Sequence, residues 1–325
     1  MSAPATITER LLCGERSALA RLITWAENGD PRFAPALAQV WGRVGRAMRI
    51  GVTGPPGAGK STLVNQLAKL YREQGRTVGV LAVDPSSPFS GGALLGDRIR
   101  MEERTLDPGV FIRSMASRAS HGGLARAAVD ACDAMDAFGL EVLLIETVGV
   151  GQAEYDVMDA ADTVLVVLHP GAGDSIQAMK AGLLEVADVL VVNKADQPGA
   201  ERLQNDLEES VHVRFLAGRD WRPPVVACSA GKGEFVDLVV AAVARHRAFL
   251  EQHDLERLRR AKRVAQVRHA LMEGLIEALW EGRGWRRRAE RGLFAERAPC
   301  AVAAALLSDI LDHLPPPGGE SEASA

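Results

Sequence analysis

From Arg49 onward the chain alternates short, almost uninterrupted apolar runs with amphipathic ones. MRIGVTG, TVGVLAVD, VFIRS, EVLLIET, TVLVVLH, VLVVNKAD and PVVACSA are all of strand length and rich in Val, Ile and Leu. A run that is apolar at nearly every position predicts a strand covered on both faces. Helical segments separate these runs. The pattern therefore predicts an α/β fold with a doubly wound, mostly parallel sheet. Ligands of such sheets bind outside the carboxyl ends of the strands.

The flanks read differently. Residues 1–47 are helical, with Leu11, Leu12, Leu19, Leu22, Ile23 and Trp25 at helix spacing across ERLLCGERSALARLITWAENGD. Asn28-Gly29-Asp30-Pro31 is a turn signal, and a short helix over about Ala34–Gly45 follows. After Arg245 the pattern is purely helical; HRAFLEQHDLERLRRAKRVAQVRHALMEGLIEALW has no proline to break it, and APCAVAAALLSDILDHL forms a further helix. PPPGGESEASA has no apolar periodicity and predicts a disordered tail. The expected division is a helical extension at 1–47, an α/β core at 48–245, a helical arm at 246–314 and the tail at 315–325.

Composition narrows the function classes. Of 325 residues, 47% are hydrophobic and 25% charged, enough to build a sizeable core. Acidic residues outnumber basic ones, 42 to 38, for a net charge of −4, which argues against a dedicated nucleic-acid binder. No apolar stretch is long enough for a membrane span, and no signal-peptide pattern opens the chain. Cys13, Cys132, Cys228 and Cys300 are too scattered for a zinc site or a disulfide framework. Reduced thiols and a cytoplasmic location are the expectation.

The strongest local signal is GPPGAGKST: Gly54, Pro55, Pro56, Gly57, Ala58, Gly59, Lys60, Ser61 and Thr62. It fits G-x-x-x-x-G-K-[ST] and stands between a strand-like MRIGVT and a helical LVNQLAKLYREQG, the context this motif requires. Its glycines let backbone amides turn toward phosphate oxygens, and the helix N-terminus adds positive potential. Lys60 would neutralise the β- and γ-phosphates, and the Ser61 hydroxyl would bind Mg²⁺.

A second motif chooses the base. Asn193-Lys194-Ala195-Asp196 closes the apolar run ADVLVVNKAD. In the N-K-x-D pattern the aspartate accepts hydrogen bonds from guanine N1 and N2; adenine lacks that donor pair and would leave the carboxylate unmatched. Asn and Asp also favour caps and turns, but a P-loop upstream and CSAGKG at the next strand end favour GTP over ATP. Ser229 and Ala230, with Gly231 beside them, are expected to meet the base through backbone amides.

Between these motifs lie the residues expected to handle metal and water. Glu146 ends the run EVLLIE, where an acid would approach Mg²⁺. Gly149 and Gly151 permit a loop that senses the γ-phosphate, and Gln152 is a candidate for orienting water. Asp84 ends VGVLAVD and opens a Gly-, Ser- and Pro-rich segment in which Asp97 follows. Ser61, Asp84, Asp97 and Glu146 form the expected Mg²⁺-linked set. For the general base, Asp84, Asp97 and Gln152 are candidates only.

Taken together, VTGPPGAGKSTL, LAVDPSSPFSGGALLGDRIRM, FIRSMASR, LIETVGVGQAE, HPGAGDSIQAMKAG and VVNKAD resemble the MeaB/ArgK family of P-loop GTPases, which includes the human methylmalonic aciduria type A protein. DPSSPFSGG and ETVGVGQ are the most diagnostic segments. The resemblance implies a GTPase chaperone of an adenosylcobalamin-dependent acyl-CoA mutase, methylmalonyl-CoA mutase or a close relative. Such chaperones gate cofactor loading and protect or rescue the mutase. It also implies a homodimer formed through the C-terminal helices. Two departures stand out: Ala119 follows Arg118 where relatives often have glycine, and CSAGKG lacks the usual leucine after Ser-Ala. An older name for the family, kinase of a lysine/arginine/ornithine transport system, finds little support, because no substrate pocket separate from the nucleotide motifs can be read. A nickel metallochaperone is disfavoured by seven scattered histidines and no CxxC pair.

Overall fold

Apolar runs of this kind need cover on both faces, and the structure supplies it. The computed structural model describes residues 5–84, 107–116, 121–147, 158–171, 183–215, 220–282, 284–294 and 298–312. The expected strands appear as β1 (Met48–Thr53), β2 (Val78–Asp84), β3 (Val110–Ala116), β4 (Val142–Thr147), β5 (Thr163–Leu168), β6 (Val189–Val192) and β7 (Val225–Ala227). They form one sheet in the order β3-β2-β4-β1-β5-β6-β7, with every pairing parallel. The fold class is the α/β arrangement expected.

Each face of the sheet has its own buried cluster. On one face α4 (Lys60–Glu73) contributes Leu63, Leu67 and Tyr71, which pack with Ile50, Val52 and Leu165 of the sheet. Val239 and Val243, from the helix after β7, complete that cluster. On the other face α5 (His121–Phe138) sets Cys132 and Met135 against Leu143 and Ile145. The N-terminal helices join this second cluster through Leu11, Leu19, Leu22 and Ile23. The connections before and after β6 carry α6 (Leu183–Val186) and α7 (Ala200–Phe215).

The helical lead is three helices, not two: α1 (Ile7–Leu12), α2 (Arg16–Glu27) and α3 (Phe33–Val40). Gly14, at φ +80°, breaks the first expected helix, because only glycine takes that conformation freely. The next one stops at Val40, before a 3₁₀ turn at Trp41–Arg43, instead of reaching Gly45.

A buried charge cluster ties α5 to the foot of β1. Arg49 Nη2 donates to Asp133 Oδ1 at 2.7 Å and to Asp136 Oδ2 at 3.1 Å. Asp136 also accepts the backbone amides of Gly45, Arg46 and Ala47. The carbonyls of Gly45 and Ala47 in turn accept from Arg259, whose guanidinium also grips both oxygens of Asp162 just ahead of β5.

The helical run after β7 breaks without a proline. α8 (Val236–Gln252) runs unbroken through residues 245 and 246 and ends before Asp254, whose φ of +61° is left-handed; α9 (Leu255–Glu277) then begins. The Asp254 carboxylate accepts the Arg257 amide at 3.0 Å, so it starts the new helix as a side-chain cap.

Residues Met1–Arg259 form one compact unit and Arg260–Ala325 a second. Within the second, α10 (Trp285–Phe294) packs on α11 (Pro299–Asp312): Gly292 faces Val302, and Arg288 pairs with Asp309 at 2.6 Å. Along α9, Val264, Val267, Leu271 and Leu275 are exposed at helical spacing. No helix among the described residues is long and apolar enough to cross a membrane.

Candidate nucleotide site

β1 delivers the chain to Gly54 at the carboxyl edge of the sheet. Gly54 has φ +143°, and a Cβ there would stand 2.1 Å from the Val167 carbonyl oxygen on β5. Gly57 and Gly59 are left-handed too, at +76° and +86°. The glycines of the loop are thus required by its backbone path. Gly54→Ala is expected to cost about 1–3 kcal/mol through strain and clash and to raise the KM for GTP. Thermal melting with and without nucleotide checks both.

Lys60 opens α4 and is buried. Its Nζ donates to the carbonyls of Gly54 at 2.8 Å and Pro55 at 3.2 Å, which holds the ammonium inside the curve of the loop. The next residue, Ser61, donates its Oγ to Glu146 Oε1 at 2.5 Å. Glu146 stands opposite Val52 on the strand beside β1 and is 2% exposed. Four apolar residues precede it, so the strand carries an acid to the one edge where a charged ligand could meet it. Thr147 then donates to Thr53 at 3.1 Å, tying the two strand ends together.

Asn193 is a brace. Its Nδ2 donates to the Ala58 carbonyl at 2.8 Å, and its Oδ1 accepts the Ala230 amide at 3.0 Å. A Cβ on Gly59 would lie 2.4 Å from that Nδ2, so the P-loop must be bare where Asn193 crosses it. The first residue of the N-K-x-D motif therefore joins the P-loop to the 228–234 loop. Lys194 follows with φ +58°, and Asp196 pairs with Lys232 at 3.0 Å. The Lys232 hydrogen bond, with help from backbone and Ser229, holds the Asp196 carboxyl below its usual range. The Ser229 and Ala230 amides, expected to face the base, already donate to the Glu234 carbonyl and to Asn193.

Lys60, Ser61, Glu146 and Asn193 thus converge on the P-loop. The backbone of Asp84 ends β2 opposite Ala116. Asp97, Ala119, Gly149, Gly151, Gln152 and the 315–325 tail lie outside the described residues. One neighbour of the site was overlooked in the sequence reading. His169, immediately after β5, has Nδ1 2.8 Å from the Pro170 carbonyl oxygen, and its Nε2 lies 3.9 Å from where a Cβ of Gly57 would be. A carbonyl only accepts, so Nδ1 donates to it, and Nε2 is the ring nitrogen on the loop side. Its signal was available: a polar residue ending the run TVLVVLH.

Many nucleoside triphosphatases share a loop of this form. An N-K-x-D segment braced against it, on a sheet of this order, narrows the class to the P-loop GTPases. The chain belongs to the MeaB family of that class: the family model described as methylmalonyl Co-A mutase-associated GTPase MeaB matches residues 19–283. A protein of Pyrococcus abyssi assigned to the GTPases is 46% identical over 272 residues, 83% of this chain and 84% of that one. The GTPase ArgK of Escherichia coli is 33% identical over 302 residues, 90% of this chain and 91% of that one. A crystal structure described as an LAO/AO transport system kinase superposes with a TM-score of 0.74 at 28% identity, covering 96% of this chain and 99% of its own.

Proposed function

We propose that this GTPase serves as a nucleotide-driven chaperone of an adenosylcobalamin-dependent acyl-CoA mutase, methylmalonyl-CoA mutase or a close relative. It would gate cofactor loading and protect or reactivate the mutase through GTP hydrolysis. The observation that carries the reading is the match over residues 19–283 to a family described as mutase-associated. The Ser61–Glu146 contact at the P-loop supports the hydrolytic half of it, because it sets a hydroxyl and a carboxylate where a phosphate-bound cation would sit.

Mg²⁺ fits this site. One hydroxyl and one buried carboxylate are a sparse donor set, suited to an ion that keeps waters and takes further oxygens from phosphates. Ser61 and Glu146 would hold it, with Asp84 and Asp97 as further candidates, and it would offset charge on the β- and γ-phosphates. Lys60 and the loop amides would stabilise the charge that grows on the transferred phosphoryl group. Asp196 would read the guanine N1 and N2 donors. The exposed apolar stripe on α9 supports a second copy of the chain as its occupant, giving a homodimer.

Asp196→Asn tests the base assignment: GTP affinity is expected to fall at least about tenfold relative to xanthosine triphosphate, read by competition titration. An unchanged preference defeats the guanine reading. Capture of the tagged chain's partner from its native cells tests the chaperone reading. A cobalamin-dependent mutase is the expected partner, and a hydrogenase or urease subunit in its place refutes it. Labelled γ-phosphate found on arginine, in place of free phosphate, would restore the kinase reading.

A further inference from the structure

A second cleft, of about 520 Å³, lies at the amino edge of the sheet, away from the P-loop. Met48 begins β1 there, and Arg76 and Glu141 stand just ahead of β2 and β4. Leu70 and Tyr71, from the last turns of α4, join Val240, Ala244 and Ala248 of α8 in its walls. Every lining residue belongs to the first compact unit. Tyr71 gives this apolar cleft its chemistry. It is 3% exposed, and its hydroxyl has no hydrogen-bond partner among the described residues. Burial holds the phenol pKa well above its usual range, against the pull of the nearby Arg76 guanidinium, so the group keeps its proton. A buried donor without an acceptor is costly, and native structures keep few of them.

We propose that this cleft binds an aliphatic carboxylate, with its head accepting from Tyr71 and Arg76 and its chain lying on Leu70, Val240 and Ala244. The charges at the rim select that head. Arg46, Arg76 and Arg247 line the cleft together with Glu141, Asp237 and Glu251. Three acids among three guanidiniums oppose a multiply charged anion and leave room for a single charge. Arg247 is held by Glu251 at 2.7 Å, whereas Arg76 meets Glu141 only at 3.4 Å, with both side chains exposed. Arg76 is therefore the guanidinium free to turn to a ligand, and as it turns it uncovers the phenol beside it. A carboxylate matches the guanidinium fork with two parallel bonds and has lone pairs left for the Tyr71 hydroxyl. The apolar walls suit a hydrocarbon chain. Lys60 opens α4 and Tyr71 stands near its end, so one helix serves both sites.

The test is calorimetric titration of the full chain with octanoate, and with octylamine, which keeps the hydrocarbon chain and reverses the head charge. Saturable binding of octanoate, and none of octylamine, is the expected result. Tyr71→Phe should weaken octanoate by about tenfold, the scale of one lost charge-assisted hydrogen bond. The melting temperature of the same variant without ligand should hold or rise, because the change removes an unpartnered hydroxyl. A tyrosine that served packing alone would not give that split. Ala244→Trp, at an exposed position of α8, should fill the cleft, abolish octanoate binding and leave GDP affinity unchanged. Four results overturn the proposal. Native protein that shows no saturable octanoate binding has no such site. Equal binding of octanoate and octylamine would be apolar adsorption. Octanoate binding that survives Ala244→Trp would lie elsewhere on the molecule. Native affinity in Tyr71→Phe would take the hydroxyl out of the site.

Discussion

Replacing Lys60 by alanine is expected to lower GTP turnover by about two to three orders of magnitude, the usual cost of removing one preorganised charge from a phosphoryl-transfer site. The reasoning starts from position. Lys60 is the first residue of α4, where the helix N-terminus and the loop amides already favour anions. Its ammonium is buried and held by the Gly54 and Pro55 carbonyls, so its orientation is set before phosphate arrives. Lys60→Arg should recover little, because a planar guanidinium cannot replace a compact ammonium inside so tight a turn. Phosphate release at saturating GTP measures the effect. Retention of more than about a tenth of native turnover would move the catalytic weight to other groups.

The largest effect on stability is expected far from the nucleotide. Arg49→Leu should cost about 3–5 kcal/mol, because it takes the opposite charge away from two buried carboxylates. Burial opposes the charge on Arg49, but Asp133, Cys132 and Asp136 more than offset it and hold its pKa above the usual arginine range. Asp136 would keep its three backbone donors; Asp133 would lose the guanidinium. The double variant Arg49→Leu, Asp133→Leu should therefore recover part of the loss, and Arg49→Leu, Asp136→Leu should not. Urea denaturation measures all three. A cost below about 1 kcal/mol for the single variant would mean that water reaches Asp133 once the arginine is gone.

These two sites differ in how far they can be read from sequence. The P-loop is local: nine consecutive residues carry its glycines, its lysine and its serine, and hydrophobic strand and amphipathic helix flank it. Glu146 was legible because a charge at the end of an apolar run is unusual. The strands were legible for the same reason, yet their order was not, since parallel neighbours are joined by crossovers that leave no trace in spacing. Helix breaks at Gly14 and Asp254 rest on single residues in left-handed backbone, which periodicity overlooks. Asn193 was found through its motif but not through its work. The Ala58 carbonyl it holds is 135 residues away and the Ala230 amide 37. The Arg49 cluster likewise joins residues more than 80 positions apart. Contacts at that distance depend on the fold already being in place.

The Asn193 brace has a further consequence. One side chain fastens the P-loop to the 228–234 loop, so the parts proposed for the two ends of the nucleotide share a single joint. A nucleotide bound as proposed would be held at both ends by parts that are already aligned with each other. Guanosine alone, or pyrophosphate alone, would use one side of that joint and bear the full cost of its own immobilisation. The whole molecule gains more than its fragments sum to, as a two-pronged plug seats better than two separate pins.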